Sequence, residues 1–256
     1  MSGSGVLYDW PRAAAFGRVI PKTRIYEHAG ANTGLKDLFV REVDQIVWSH
    51  KLAPETVNLA ATKQVAEIQV FRITARTATL DPAVLRAIDK AIPFPLIFEV
   101  AHGGRVRLAA AYKRPNEADS TRWVVDDYFQ GDWLPEDAAR APLPVAVNMG
   151  ALYERLLEPL VAGQTARLFP GIGEAPQTPY TPAAADRPVS LEERITQAEA
   201  IKAQAREVER IKARLGREKQ FNKRVAINAE LRAASERLNR IFSEQVDYQG
   251  GDCEDR

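Results

Sequence analysis

One cysteine, Cys253, three histidines and two methionines are all the thiol, imidazole and thioether groups that this 256-residue chain carries. A lone thiol in the closing stretch "GGDCEDR" excludes an internal disulfide framework and any Cys-x-x-Cys metal spacing. His28, His50 and His102 are too scattered for a zinc pattern, so no metal and no cofactor is expected. Long apolar runs are missing too: none approaches the roughly 18 residues of a membrane span, which removes a bilayer from the expected partners. The opening "MSGSGVLYDWPR" has neither the basic start nor the apolar middle of a secretory signal, and the expected location is the cytoplasm. Net charge is also close to absent, at +1.

That neutrality hides a local imbalance. Residues 189–245 carry thirteen Lys or Arg against nine Glu, whereas the last eleven residues carry four acids and one Arg. Electrostatic attraction to an anionic partner is therefore expected from the C-terminal segment and not from the first 188 residues. With 45% hydrophobic and 27% charged residues, the chain has the composition of an ordinary globular protein.

Periodicity divides the chain into four parts. In "LKDLFVREVDQIVWSHKL" the apolar residues Leu35, Leu38, Phe39, Val43, Ile46 and Val47 recur at spacings of three and four, which predicts one helix up to the break at Pro54. "LAPETVNL" reads as a turn leading to an extended piece. "AEIQVFRIT" is β-branched and alternating, a strand. Asp81-Pro82 caps and opens a helix with Leu85, Ile88 and Ile92 on its buried stripe. "PFPLIFEV" suits an interior strand, "HGGR" a tight turn and "VRLAAAY" the returning strand. "RWVVDDYF" reads as one more strand and "VNMGALYERLLEPL" as a closing helix. The expected fold class is α/β, a mixed sheet with flanking helices over 1–168, with a βαβ crossover between residues 67 and 100.

Prolines at 170, 176, 179, 182 and 188 make 169–188 an extended linker. Beyond it, Ser190 and Glu193 form a capping box that starts a long helix or coiled coil over 189–245, followed by an acidic tail at 246–256. Its apolar stripe runs through Leu191, Ile195, Ala198, Ile201, Ala205, Val208, Ile211 and Leu215. After Gly216 it resumes at Ile227, Leu231, Ala234, Leu238 and Ile241. An unbroken helix to Ser243 would reach roughly 80 Å. Such a stripe exceeds what a small domain covers, so another helix has to shelter it, in a coiled coil or a helical hairpin.

The chemical motifs are weak. "HAGANTGLKD" places two glycines and a lysine before an apolar run, but three residues separate Gly30 from Gly34, Leu35 precedes Lys36, and Asp37 stands where a phosphate-binding loop needs a hydroxyl. It reads as a helix cap by Asn32 or Thr33. "GIGEAP" stops short of a dinucleotide turn, and no Gly-x-Ser-x-Gly elbow occurs. A Mg²⁺ nuclease needs two carboxylates and a lysine on neighbouring strands; Glu67, Gln69, Glu99, Asp126, Asp127 and Lys113 supply the pieces without the pattern, and Glu67, Glu99 and Lys113 are the set such an enzyme would use. No catalytic residue is assigned. Between Arg206 and Arg224 eight basic residues face three glutamates, with Phe221 the one aromatic among them. Arg214, Arg217, Lys219, Lys223 and Arg224 are the candidates for contacts to nucleic-acid phosphates or to an acidic partner, against the plainer reading of a solvated helix face.

"IPKT" at 21, "KDLFVREVDQIVWSHKLAPETVNL" from 36, "EIQVF" at 67, "AIDKAIPFPLIFEV" from 87, "AAYKR" at 110, "YFQGDWLP" from 128 and "REKQFNKRVAINAELR" from 217 together resemble a bacterial and archaeal family known as domain of unknown function 4391. What the resemblance implies is context: its members stand beside a large helicase and a DNA methyltransferase in clusters of the restriction or phage-defence kind. No catalytic set comes with it. The expectation is a non-catalytic accessory subunit that docks on a helicase, or on a second copy, through Ile227, Leu231, Ala234, Leu238 and Ile241.

Overall fold

The computed structural model describes residues 5–116, 123–168 and 190–247. It divides into two compact units, Met1–Gln164 and Thr165–Arg256. The linker expected at 169–188 and the tail from 248 lie outside the described residues.

The first unit is built on a seven-stranded sheet. β1 (Ala15–Val19), β2 (Val43–Leu52), β3 (Ile68–Ala75), β4 (Leu96–His102), β5 (Arg105–Pro115) and β6 (Trp123–Gln130) lie in that order, and the short β7 (Leu134–Pro135) also pairs with β5. Every pairing is antiparallel except β3 with β4, which are parallel and joined by the helix Pro82–Ala91. That is the βαβ crossover expected from the pattern. Gly103 and Gly104, both at positive φ (57° and 73°), turn β4 into β5, as a two-residue hairpin requires.

Four helices connect these strands: α1 (Lys22–Ala29), α2 (Thr33–Glu42), the single turn α3 (Pro54–Val57) and α4 (Pro82–Ala91). A fifth, α5 (Met149–Leu168), closes the unit and runs on through Pro159. "HAGANTG" is the junction of α1 and α2: Gly30 ends α1 at φ 64°, and the Asn32 side chain accepts the Leu35 amide at 2.9 Å. Asp81 caps α4 through the Ala83 amide at 2.8 Å.

One expectation fails. The helix predicted from Leu35 to Leu52 stops at Glu42, and the remainder is β2. Bulges between Val43 and Gln45 and between Trp48 and His50 interrupt the alternation of that strand, so its buried residues fall at spacings that imitate a helix.

Successive residues of a strand face opposite ways, and the core follows. Phe98 and Val100 of β4, Phe71 and Ile73 of β3, and Ile46 of β2 pack with Ile25, Phe39, Val84, Leu85 and Ile88 of α1, α2 and α4. Three lysines then tie the ends of these helices, where backbone carbonyls lack partners. Lys22 Nζ donates to the Phe39 and Val43 carbonyls at the end of α2, Lys90 Nζ to Ala29 at the end of α1, and Lys113 Nζ to Asp89 and Ile92 at the end of α4.

The second unit is a helical hairpin rather than one long rod. α6 (Leu191–Arg217) opens with the capping box: Ser190 Oγ accepts the Glu193 amide at 3.2 Å and Glu193 Oε2 the Ser190 amide at 2.8 Å. The chain turns over 218–220 and α7 (Phe221–Asp247) follows. Each helix holds 27 residues, about 40 Å. Val208 and Ile211 pack against Ile227 and Ala234, with Leu215, Leu231 and Leu238 at the margin. The part of the α6 stripe nearest the turn is therefore covered by α7 of the same chain.

Candidate functional site

The acidic and basic residues that a nuclease would need do not meet. Glu99, 4% exposed, faces away from the helix-covered core, because its neighbours Phe98 and Val100 face into it. Its Oε1 accepts the Trp10 indole N–H and an Arg140 N–H, both at 2.7 Å, and Arg72 Nη1 stands 3.4 Å from Oε2. Arg72 also pairs with Glu136, and Arg140 donates to the Tyr8 carbonyl at 2.8 Å. Burial pushes the nearby His50 below its ordinary pKa; Glu99 opposes this and Arg140 adds to it. The carboxylate is thus fully coordinated by protein donors. It holds the N-terminal segment and the 136–148 connection on the sheet.

Lys113 belongs to the other side. Its ammonium, in a side chain 1% exposed, has three acceptors for its three protons: the Asp89 carbonyl at 2.6 Å, the Ile92 carbonyl, and Asp89 Oδ1 at 3.4 Å. The Tyr128 hydroxyl donates to Asp89 Oδ2. Burial raises the Asp89 pKa to about 6 and lowers that of Lys113, and each charge opposes the shift of the other. At the β5–β6 bulge beside Lys113, the Tyr153 hydroxyl accepts the Lys113 amide at 3.0 Å and donates to the Ala111 carbonyl at 2.7 Å, replacing the ladder bonds that the bulge removes. Glu67 pairs with Lys51 and bonds Gln69, Asp126 pairs with Arg114, and Asp127 with Arg86. Among the described residues no group of three His, Cys, Asp or Glu is placed to hold a metal ion.

Nothing in the local sequence announced these networks. Trp10, Arg72 and Arg140 lie 89, 27 and 41 positions from Glu99, and Tyr128 is 39 from Asp89. A cleft of about 300 Å³ also opens beside α1, floored by Trp48, Phe71 and Gln69, with Arg24 and His28 on its helix wall.

The hairpin collects the residues singled out from the sequence. Of the five expected anchors, Ile227 (8% exposed) and Ala234 (0%) are used against α6, whereas Leu231, Leu238 and Ile241 stay partly exposed. Gln204 locks the register with an N–H to the Ala234 carbonyl at 3.1 Å. Of the five cations, Arg214 pairs with Glu230 across the hairpin. Arg217, Lys219, Lys223 and Arg224 come together around the turn, all exposed.

A family model described as "Domain of unknown function (DUF4391)" matches residues 8–238. The chain belongs to that family. The match runs from just before Trp10 to Leu238, so it takes in the buried Glu99 network, the Lys113 network and the hairpin alike. No curated protein and no solved structure matches the chain.

Proposed function

We propose that this protein is a non-catalytic accessory subunit of a helicase- and methyltransferase-containing restriction or phage-defence complex, and that it docks through the C-terminal hairpin. The observation that carries the reading is the seam of α7. Leu231, Leu238 and Ile241 flank the line that α6 covers and remain partly exposed, an apolar margin on which a partner's amphipathic helix would complete a three-helix arrangement. The state of the charged groups in the first unit supports the non-catalytic part: Glu99, Asp89 and Lys113 are buried and each is bonded to partners from distant segments. A catalytic carboxylate or lysine has to reach a substrate.

The test is capture of the helicase from the native host by the full chain and by a chain ending before Ser190. Retention by the first and loss by the second is expected, with Leu231→Asp and Leu238→Asp weakening capture in the full chain. Equal capture by the shortened chain would end the proposal.

A further inference from the structure

The reversal between α6 and α7 brings four cations, Arg217, Lys219, Lys223 and Arg224, into eight positions of chain. Among the described residues none of the four has an acid at ion-pair distance. On α6 the cations next to the turn are paired, Arg210 with Glu207, Lys212 with Glu209 and Arg214 with Glu230, whereas Arg232, Arg237 and Arg240 are spread singly along α7 with no acid at ion-pair distance among the described residues. The turn does contain one acid, Glu218, but its Oε1 accepts the amides of Lys219 and Gln220 at 2.9 and 2.8 Å and so faces the backbone. Beside the cations, Phe221 and Val225 are 77% and 54% exposed and stand one turn apart on α7.

A solvated helix face balances its charges with neighbours three or four positions away, as α6 does at Arg210 and Lys212. The turn departs from that pattern in two independent respects: four cations within eight positions share one acid, Glu218, which feels Lys223 but pairs with none of them, and a phenyl ring is left in water. Unpaired cations suit the evenly spaced charges of a phosphate backbone, and an exposed aromatic offers a surface on which an unpaired base can stack. A duplex presents phosphates but keeps its bases stacked inside, and an acidic chain without apolar side chains gives the ring nothing to pack on. We infer that the turn of the C-terminal hairpin binds single-stranded nucleic acid, the four cations meeting phosphates and Phe221 stacking on a base. This surface is distinct from the Leu231, Leu238 and Ile241 seam, so its test is separate from that of docking.

Fluorescence anisotropy of the full chain with a labelled single-stranded oligothymidine, a duplex of the same length and poly-glutamate reads the three cases. Single-strand affinity is expected to fall with salt with a logarithmic slope of about −3, from about 0.7 per neutralised phosphate over four contacts. Replacing Arg217, Lys219, Lys223 and Arg224 together by Gln should abolish it, and Phe221→Ala should weaken it about tenfold while leaving any duplex binding unchanged. Arg210→Gln, at a compensated position, should weaken it far less than the fourfold change. All five altered side chains at the turn are exposed, so the variants keep their helical circular dichroism. Absence of single-strand binding at low salt, binding that survives the fourfold change, equal preference for duplex with no effect of Phe221→Ala, or equal affinity for poly-glutamate would each overturn the inference.

Discussion

Lys113→Met is the substitution that best separates structure from chemistry in the first unit. Methionine keeps the length and most of the volume of the lysine stem and removes only the ammonium. Three things follow at once. The last-turn carbonyls Asp89 and Ile92 lose their donor, the end of α4 loses the cation that its dipole favours, and the Asp89 carboxylate loses its opposite charge in a site where both partners are almost fully buried. Removing one member of a buried ion pair costs about 3 to 5 kcal/mol. Tyr128 still donates to Asp89 Oδ2, so the carboxylate is not bare, and the expected loss is about 3 kcal/mol. For a unit of this size that is a fall in Tm of roughly 6 to 12 °C.

The pH dependence has a definite sign. Burial already raises the Asp89 pKa from 3.8 to about 6, with Lys113 as the largest opposing influence. A raised carboxyl favours the fold fully below its unfolded value and loses that contribution as pH rises through the folded value. Without Lys113 the folded value climbs further, so the loss continues above pH 6 in the variant after it has ended in the parent. The destabilisation should therefore be larger at about pH 8 than at about pH 5. Urea unfolding followed by circular dichroism at both values measures it. A cost below about 1 kcal/mol, or one that does not grow with pH, would refute the idea that the ammonium is held charged in that site.

Three further outcomes follow from the same kind of contact. Ile211→Ala, at a position 1% exposed between the two helices, should cost the hairpin about 2 to 5 kcal/mol, and Leu238→Ala on the open margin less than half of that, read as faster amide exchange in α6 and α7. Ser190→Ala removes the acceptor for the Glu193 amide and should cost about 1 kcal/mol, with exchange quickening in the first turn of α6 alone. Glu99→Ala leaves Trp10, Arg72 and Arg140 without their shared acceptor and should destabilise the first unit by about 3 kcal/mol or more; a variant that kept its stability but lost a Mg²⁺-dependent cleavage of DNA would instead make Glu99 catalytic.

Elements whose signal is local were legible in the sequence. The Asp81-Pro82 opening, the Ser190 to Glu193 box, the Gly103-Gly104 turn and the apolar run of β4 each carry their own stereochemical reason, and all four occur. β2 was not legible, because one bulge sets Val43 three positions from Ile46 and a second breaks the alternation again after Trp48. β1 escaped for a related reason: it is short, wholly exposed, and broken by Gly17 at φ 68°, so burial imposed no pattern on it. The two buried ionic networks depend on contacts between segments tens of residues apart, and each member alone reads as a surface residue. The basic cluster was visible as composition, but its arrangement depended on where the chain reverses. Glu218 sets that reversal by accepting the two amides that follow it.

That reversal also alters what docking has to accomplish. An unbroken amphipathic rod would need a foreign helix in order to exist in water, whereas here α7 already covers the turn-proximal part of the α6 stripe, Val208 and Ile211 packing with Ile227 and Ala234. Two helices cover one another along a single seam, and α7 contributes only Ile227 and Ala234 as buried side chains among its described residues, a thin half of a core for a helix of this length. A partner helix laid on Leu231, Leu238 and Ile241 would thicken that core and so stabilise the hairpin by mass action, by about 2.7 kcal/mol at a hundredfold excess over Kd. Amide exchange in α6 and α7 should then slow on complex formation, most of all next to the seam, while β3 and β4 stay unchanged. If exchange slows in the first unit and not in the hairpin, the partner sits elsewhere, and the exposed leucines are no more than the margin that any two-helix pair leaves uncovered.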